Sequence, residues 1–303
     1  AFGRDGAHLD KAKPHGPQAI DHSAVLVQAR GHADAVGDAE LVVGDIRSAD
    51  DLDACFALRP YDLVMHFAVD DIGGDNIYGD SPDPVVLREK YALLAAMPGF
   101  ARLRETTPLF ATWDDHDFGL NDAGASFPMR RWAEDLFETF WASSEAVKSR
   151  PGVYDSTITG PEGKRVQVIL LDTRFFRSAL TPTDEWNKKG KERYIPSADP
   201  GQDMLGNDQW TWLHNRLQDP ADLRLIVSSI QVLPTDGHGF EAWATMPLEQ
   251  QRLYRMIRDT EANGVVFVSG DRHTAFLYKD DAALPYPAYE LTASSMNASL
   301  WET

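Results

Sequence analysis

An α/β fold is predicted from two features of the sequence. Short runs of aliphatic residues alternate with segments of helical periodicity, the rhythm that builds a mainly parallel sheet. Clusters of Asp, His and Asn follow directly on several of those runs, and ligands of open α/β sheets bind outside the carboxyl ends of the strands. At 303 residues the chain exceeds the usual single-domain size, yet one large α/β domain reaches it.

Residues 1 to about 24 are rich in Gly, Pro, His and Asp without apolar periodicity, which predicts irregular structure. Strand-like runs follow at Ala24–Val27 and Glu40–Asp45, then a helical pattern through Leu52, Cys55 and Phe56, then Asp62–Phe67. That order reads as a βαβ unit with parallel strands. Pro84 to Met97 is expected to be helical, with Pro84 in the first turn and Pro98-Gly99 as the stop. A strand at Pro108–Thr112 would deliver Trp113–Asp117, and a helix is expected from about Met129 to Ala146. Strands are then expected near Gly152–Ile158, Val166–Leu171, Leu225–Ile230, Val265–Ser269 and Tyr289–Ala293, with a helix from about Leu248 to Asn263.

Composition excludes several classes. The net charge of −18, from 47 acidic against 29 basic residues, opposes a nucleic-acid footprint or an anionic-membrane surface. No apolar run approaches the roughly 18 residues of a membrane span. A single cysteine, Cys55, rules out an intrachain disulfide framework and a thiolate zinc site, so a metal here must use oxygen and imidazole ligands. The first residues lack a basic-then-apolar signal segment. Oligomeric state is not legible.

Three clusters carry the chemistry. Gly74-Asp75-Asn76-Ile77-Tyr78 places a carboxylate and a phenol three residues apart in a glycine-flanked turn, oxygens that suit a hard cation. Alone it also reads as a turn whose Asp satisfies local amides. Trp113-Asp114-Asp115-His116-Asp117 packs three carboxylates and an imidazole together, where excluded solvent makes a metal a better account than mutual repulsion. Its plain alternative is a solvated acidic loop. Ser269-Gly270-Asp271-Arg272-His273 adds a carboxylate and an imidazole two residues apart, with Gly270 expected to allow the tight turn; an ordinary Asp–Arg pair is the alternative. Aromatics such as Trp113, Phe118, Phe127, Trp132 and Trp243 are candidates for an apolar pocket or, more simply, for core.

In this order, and with Pro151-Gly152-Val153-Tyr154, Leu170 to Ser178 and Ser228 to Val232, the chain from about Gly74 onward resembles the PhoD-type alkaline phosphatase/phosphodiesterase family of calcineurin-like metallophosphoesterases. The resemblance implies a two-sheet sandwich flanked by helices, with metals at the strand ends. It implies metal ligands at Asp75, Tyr78, Asp115, Asp271 and His273, catalytic roles for His116 and Asp114, and substrate contacts from Asn121, Arg174 and His238. Arg174 reads equally as a structural ion pair, and His238 as a loop histidine. The implied cofactors are two or more metal ions, Fe(3+) and Ca(2+) first, with Mn(2+) or Zn(2+) open. The implied reaction is hydrolysis of a small phosphate ester, monoester or diester, by metal-activated water. Export to the periplasm or medium is likewise implied by the family alone.

Residues 28–69 instead resemble an internal stretch of a UDP-glucose 4-epimerase, through Gly31–Asp34, Glu40–Arg47 and Tyr61–Ala68. Neither a Gly-x-Gly-x-x-Gly turn nor a Tyr-x-x-x-Lys pair accompanies them, so NAD has no cradle. The expected organisation is an atypical βαβ-like segment over 1–70 and a phosphoesterase domain over 71–303. Two other readings stay open: a noncatalytic metal-binding remnant and, less favoured, a nucleotide-sugar epimerase relative.

Overall fold

In the computed structural model, the described residues are the strand segments 24–28, 40–44 and 64–67, followed by 75–235, 238–273 and 276–292. The fold is mixed α/β, with a six-stranded sheet and flanking helices. Strands β4 (Asp155–Thr159), β5 (Val166–Leu170), β6 (Leu223–Ser228), β7 (Val265–Ser269), β8 (Phe276–Asp280) and β9 (Ala288–Thr292) lie in the order β4-β5-β6-β7-β9-β8. The central four, β5, β6, β7 and β9, are mutually parallel, and antiparallel β4 and β8 close the two edges. Val265-Val266-Phe267-Val268 is a continuous apolar run because a central parallel strand is covered on both faces.

A second sheet of β1 (Ala24–Gln28), β2 (Glu40–Gly44) and β3 (Val64–Phe67) has the order β2-β1-β3, and both pairings are antiparallel. This corrects the parallel βαβ expectation. Short aliphatic runs look alike in parallel and antiparallel sheets, so strand direction was not legible from them. The helix expected through Cys55 falls outside the described residues.

Helix α1 (Pro84–Ala96) starts where Asp83 accepts the Val85 amide at 2.9 Å and Pro84 takes the first turn. The helix ends at Ala96 with Met97 as its cap, at the expected stop, and Pro98 at once opens a further helix that the sequence reading did not contain, α2 (Pro98–Thr106). Proline is as compatible with a helix start as with a helix end. The segment 108–114 is extended without forming a regular strand, with one bridge residue at Thr112. Its backbone is tied instead by side chains: the Thr112 hydroxyl donates to Leu171 O at 2.9 Å, and Trp113 Nε1 donates to Asp172 Oδ1 at 2.8 Å. The run therefore lies against the residues that follow β5, with a single bridge residue at Thr112 among the described residues.

The one-turn helix α3 (Asp115–Phe118) follows, then α4 (Arg130–Phe140) and α5 (Glu145–Lys148) in place of one longer helix. Helices α6 (Gly206–Leu217) and α7 (Pro247–Asp259) follow among the described residues; α6, α2 and β8 had no counterpart in the sequence reading. No helix among the described residues is long and apolar enough to cross a membrane.

Two buried clusters hold these parts. Ile169, Ile226 and Phe267 of the sheet pack with Trp210 and Leu213 of α6 and Leu253 and Ile257 of α7. Leu87 and Tyr91 of α1 pack with Phe137 of α4, Trp113 and Phe118. Trp113, Phe118, Phe127 and Trp243 are thus core, and Trp132 packs at the edge of the second cluster. An aromatic leaving-group pocket built from them is corrected accordingly. Trp113 and Phe118 meet edge-to-face at 5.0 Å, the arrangement that ring quadrupoles favour.

Candidate metal centre

The three clusters meet at one rim of the six-stranded sheet. Ser269 ends β7, Gly270 donates its amide to Ser229 O just past β6, and the turn Asp271–His273 follows. The left-handed backbone lies not at Gly270 but at Asp271 (φ 66°) and His273 (φ 50°). Asp75 (φ 55°) and Asp122 (φ 56°) share it. Non-glycine residues in this region store strain that persists where the surroundings over-determine it, as at functional sites.

Asp75, Asp114, Asp115 and Asp117 are all buried. Ligand atoms of Asp75, Asp115 and His116 lie within 4.8 Å of one another, and so do those of Asp114, Glu241 and Asp271. A third grouping, Asp115, Asp122 and Glu241, links the first two. Four carboxylate oxygens in this cluster, Asp75 Oδ1, Asp114 Oδ2, Asp115 Oδ1 and Asp271 Oδ2, are buried without a hydrogen-bond partner. Orphaned buried acceptors are costly unless a cation satisfies them, so this donor set fits bound metal.

The electrostatics follow from crowding. Burial, then Asp114 and Asp115, push the Asp75 carboxyl well above its ordinary range, and burial with Glu241 and Asp114 does the same to Asp271. Burial raises Asp114 to about 6 and Glu241 to about 7, outweighing Arg174 in both. Asp117, also buried, is raised to about 8 although it accepts from Asn76 Nδ2 and from the Asp114 amide at 2.7 Å. Asp115 differs: against its burial, Arg174 and His116 hold it below the usual value.

Because most of these folded-state values lie above the unfolded ones, their favourable contribution is present below the unfolded values and is lost as pH rises through the folded ones. The chelated protein is therefore expected to melt at progressively lower temperature from about pH 5 to pH 8, and the metal-loaded protein is not. Thermal melts of both across that range measure it, and parallel slopes would mean that the carboxylates hold no cation.

Tyr78 and His273 form a pair, hydroxyl to Nε2 at 3.0 Å, and the Tyr78 ring lies 4.4 Å from that of His116. His116 Nδ1 meets Asp80 Oδ1 at 2.5 Å. Against its burial, Asp115 and Asp80 raise the His116 pKa, whereas burial, His116 and Arg272 lower that of His273. The two imidazoles are thereby biased towards different protonation states.

Arg174 is fully buried and donates Nε to Asp114 Oδ1 at 2.5 Å and both terminal nitrogens to Glu241. Its neighbour Arg177 also pairs with Glu241, at 3.2 Å, and caps the Asp122 and Ala123 carbonyls. Arg174 is thus engaged as the counter-ion of the acidic cluster, and a phosphate contact would require it to release one of these partners. Asn121 is exposed, one residue before Asp122, whose amide donates to Asp115 Oδ2 at 2.6 Å. His238 Nε2 lies 3.0 Å from Gln231 Oε1, and its Nδ1 accepts the Phe240 amide at 3.2 Å.

Sequence reasoning missed Glu241, which belongs to two of the three groupings. It is a single acid three residues beyond His238, flanked directly by Phe240 and Ala242, and it forms no adjacent carboxylate–imidazole cluster of the kind that marked the other sites. Asp122, read from sequence together with Asn121 as a candidate ligand or substrate hydrogen bond, has its Oδ2 fixed by Arg193 at 2.9 Å and Tyr194 at 2.7 Å.

The chain is similar to alkaline phosphatase D of Bacillus subtilis (strain 168), 24% identical over 259 residues, covering 73% of this chain and 42% of that protein. A solved structure of PhoD superposes with a TM-score of 0.56 at 17% identity, covering 74% of this chain and 50% of that one, a likeness of fold. The chain spans half or less of the length of these relatives. Neither comparison supports the epimerase resemblance of residues 28–69. The PhoD-like phosphatase family model matches residues 148–303, just over half of the sequence and inclusive of Arg174, Glu241, Asp271 and His273, and the chain belongs to that family.

Proposed function

We propose that the chain hydrolyses phosphate esters at a two-cation centre. The observation that carries this reading is the set of buried, mutually repelling carboxylates with orphaned oxygens on Asp75, Asp114, Asp115 and Asp271. Membership of the PhoD-like family supports phosphoesterase activity in general; the two-cation arrangement and the residue roles are our assignment.

In that assignment Asp75 and Asp115 face one cation and Asp114, Glu241 and Asp271 the other, with Tyr78 and His273 as further ligands at the edge. Cations held there would neutralise phosphate oxygens and make a water sufficiently acidic to supply the nucleophile. His116, oriented by Asp80 and biased towards its protonated form, is placed to give a proton to the leaving oxygen. Asp114 is fixed by Arg174, which balances the charge of the cluster and orients both Asp114 and Glu241. Asn121 and His238 remain our candidates for contacts to the substrate. A phenolate such as Tyr78 suits a ferric ion and the carboxylates suit calcium, which favours that pair over manganese or zinc.

Residues 71–303 then form the catalytic domain and 1–70 an added segment. Export is proposed from the family alone.

Hydrolysis of an aryl phosphomonoester and an aryl phosphodiester, with elemental analysis before and after chelation, tests the reading. Chelation-sensitive turnover with about two metals per chain is expected, and the rate ratio ranks monoesterase against diesterase activity. Metal without turnover would mean a noncatalytic remnant, and turnover indifferent to chelation would overturn the metal assignment.

A further inference from the structure

Two guanidinium groups stand beside the acidic centre and are engaged by it only in part, Arg193 through one nitrogen on Asp122 and Arg272 through a long ion pair with Asp271. Arg272 lies between Asp271 and His273, and its guanidinium carbon sits 4.7 Å from the centroid of the Phe240 ring. Arg193 approaches the same ring at 5.6 Å. Phe240 itself follows the His238–Gly239 turn, where Gly239 O accepts the amides of Arg193 at 2.7 Å and Tyr194 at 2.8 Å. One residue later comes Glu241. The ring and both arginines are therefore attached to residues of the metal cluster on either side.

These two arginines differ from Arg174 and Arg177, which are buried and spend their donors on Glu241, Asp114 and backbone carbonyls. Arg272 is 19% exposed, and its ion pair with Asp271 Oδ2, at 3.9 Å, is too long for a hydrogen bond. Among the described residues its guanidinium makes no hydrogen bond. Arg193 is 35% exposed and gives Nη1 to Asp122 Oδ2. A guanidinium held against an aromatic face has its rotamers limited by the ring, and N–H groups not spent on protein partners can serve an oxyanion.

We propose that Arg272 and Arg193, aligned by Phe240, form an anion-recognition arm for a second negatively charged group of the substrate, selecting phosphoryl substrates whose leaving group is itself anionic, such as diphosphates cleaved at the phosphoanhydride. The inference rests on the phosphoesterase reading of the adjoining centre. In that reading the reacting phosphoryl group is neutralised by cations on the carboxylates, and Arg174 and Arg177 are already committed. A second anionic group therefore finds its open donors on this arm. The chain as a whole, at −18, repels a polyanionic ester, so a fixed local pair of cations is needed to hold one. Planar, bidentate donation is the geometry by which arginine matches phosphate.

The test uses metal-loaded protein and two hydrolysis-resistant probes, the α,β-methylene analogue of adenosine diphosphate and phenylphosphonate, with binding read by calorimetry. In the unmodified protein the diphosphate analogue is expected to bind at least tenfold more tightly. Arg272→Ala should erase most of that ratio and Arg272→Lys should restore part of it, with the thermal melt of each variant recorded. Phe240→Leu, which removes the stacking platform and leaves both charges, should lower the ratio as well. An equal loss for both probes, or a ratio unchanged in Arg272→Ala and Phe240→Leu, overturns the arm. The ratio of kcat/KM for adenosine diphosphate to that for phenyl phosphate should fall in step with the binding ratio. Should the protein turn over neither substrate while binding still depends on Arg272, the phosphoesterase reading fails and the arm stands. Turnover with no dependence of either ratio on Arg272 has the opposite meaning.

Discussion

Asp75→Asn is expected to reduce metal-dependent phosphoester hydrolysis by on the order of 100-fold or more, because even outer partners of metal ligands cost 10- to 100-fold. Asp75 is buried, its Oδ1 has no hydrogen-bond partner, and it faces Asp114, Asp115, Asp117 and Asp271. The amide keeps the shape and removes the charge, so the loss reports on the cation and not on packing. The same substitution is expected to be neutral or stabilising in chelated protein, where it relieves a desolvated carboxylate among like charges. It should be destabilising relative to the unmodified chain when metal is present, because binding energy is then lost from the folded state. A melt with and without chelator reads this crossover. Asp271→Asn should behave alike, and unchanged turnover in both variants would sink the metal-site assignment.

Much of the candidate centre was legible because its candidate ligands travel in clusters. Asp114, Asp115 and His116 are adjacent, and Asp271 and His273 are two apart beyond the apolar strand β7, so the position of the second pair followed from strand-end placement, whereas the first group follows a run that forms no regular strand. Glu241 was not legible because it stands alone, 67 residues from Arg174, whose charge it balances. The helical role of Pro98 and the extended path of 108–112 show the same limit in the fold. Local pattern identifies apolar runs, but whether a run joins a ladder depends on partners distant in sequence. Thr112 and Trp113 found theirs in Leu171 and Asp172. The direction of β1, β2 and β3 is likewise a property of pairing and not of composition. Arg174 was read as either a substrate contact or an ion pair; the geometry places it against Asp114 and Glu241, and which function it serves in turnover is open to direct measurement.

Arg174→Met provides that measurement and the second large expected effect. With 0% exposure, Arg174 bridges Asp114 and Glu241, and a burial-driven loss of charge is resisted so strongly that its pKa lies well above the ordinary arginine value. Removing one partner of a buried ion pair leaves the remaining charges uncompensated, at a cost of about 3–5 kcal/mol. Methionine fills similar volume, so the cavity contribution is small beside the electrostatic one. Denaturant unfolding of the metal-free protein should show that loss, and saturating metal should recover part of it, because cations neutralise the same carboxylates. Arg174→Lys retains charge without the fork that serves both acids, and should fall between the two. An arginine whose main partner is the substrate would behave differently. Stability would change little, KM would rise, and added metal would not distinguish the folded states of the variant and the unmodified chain.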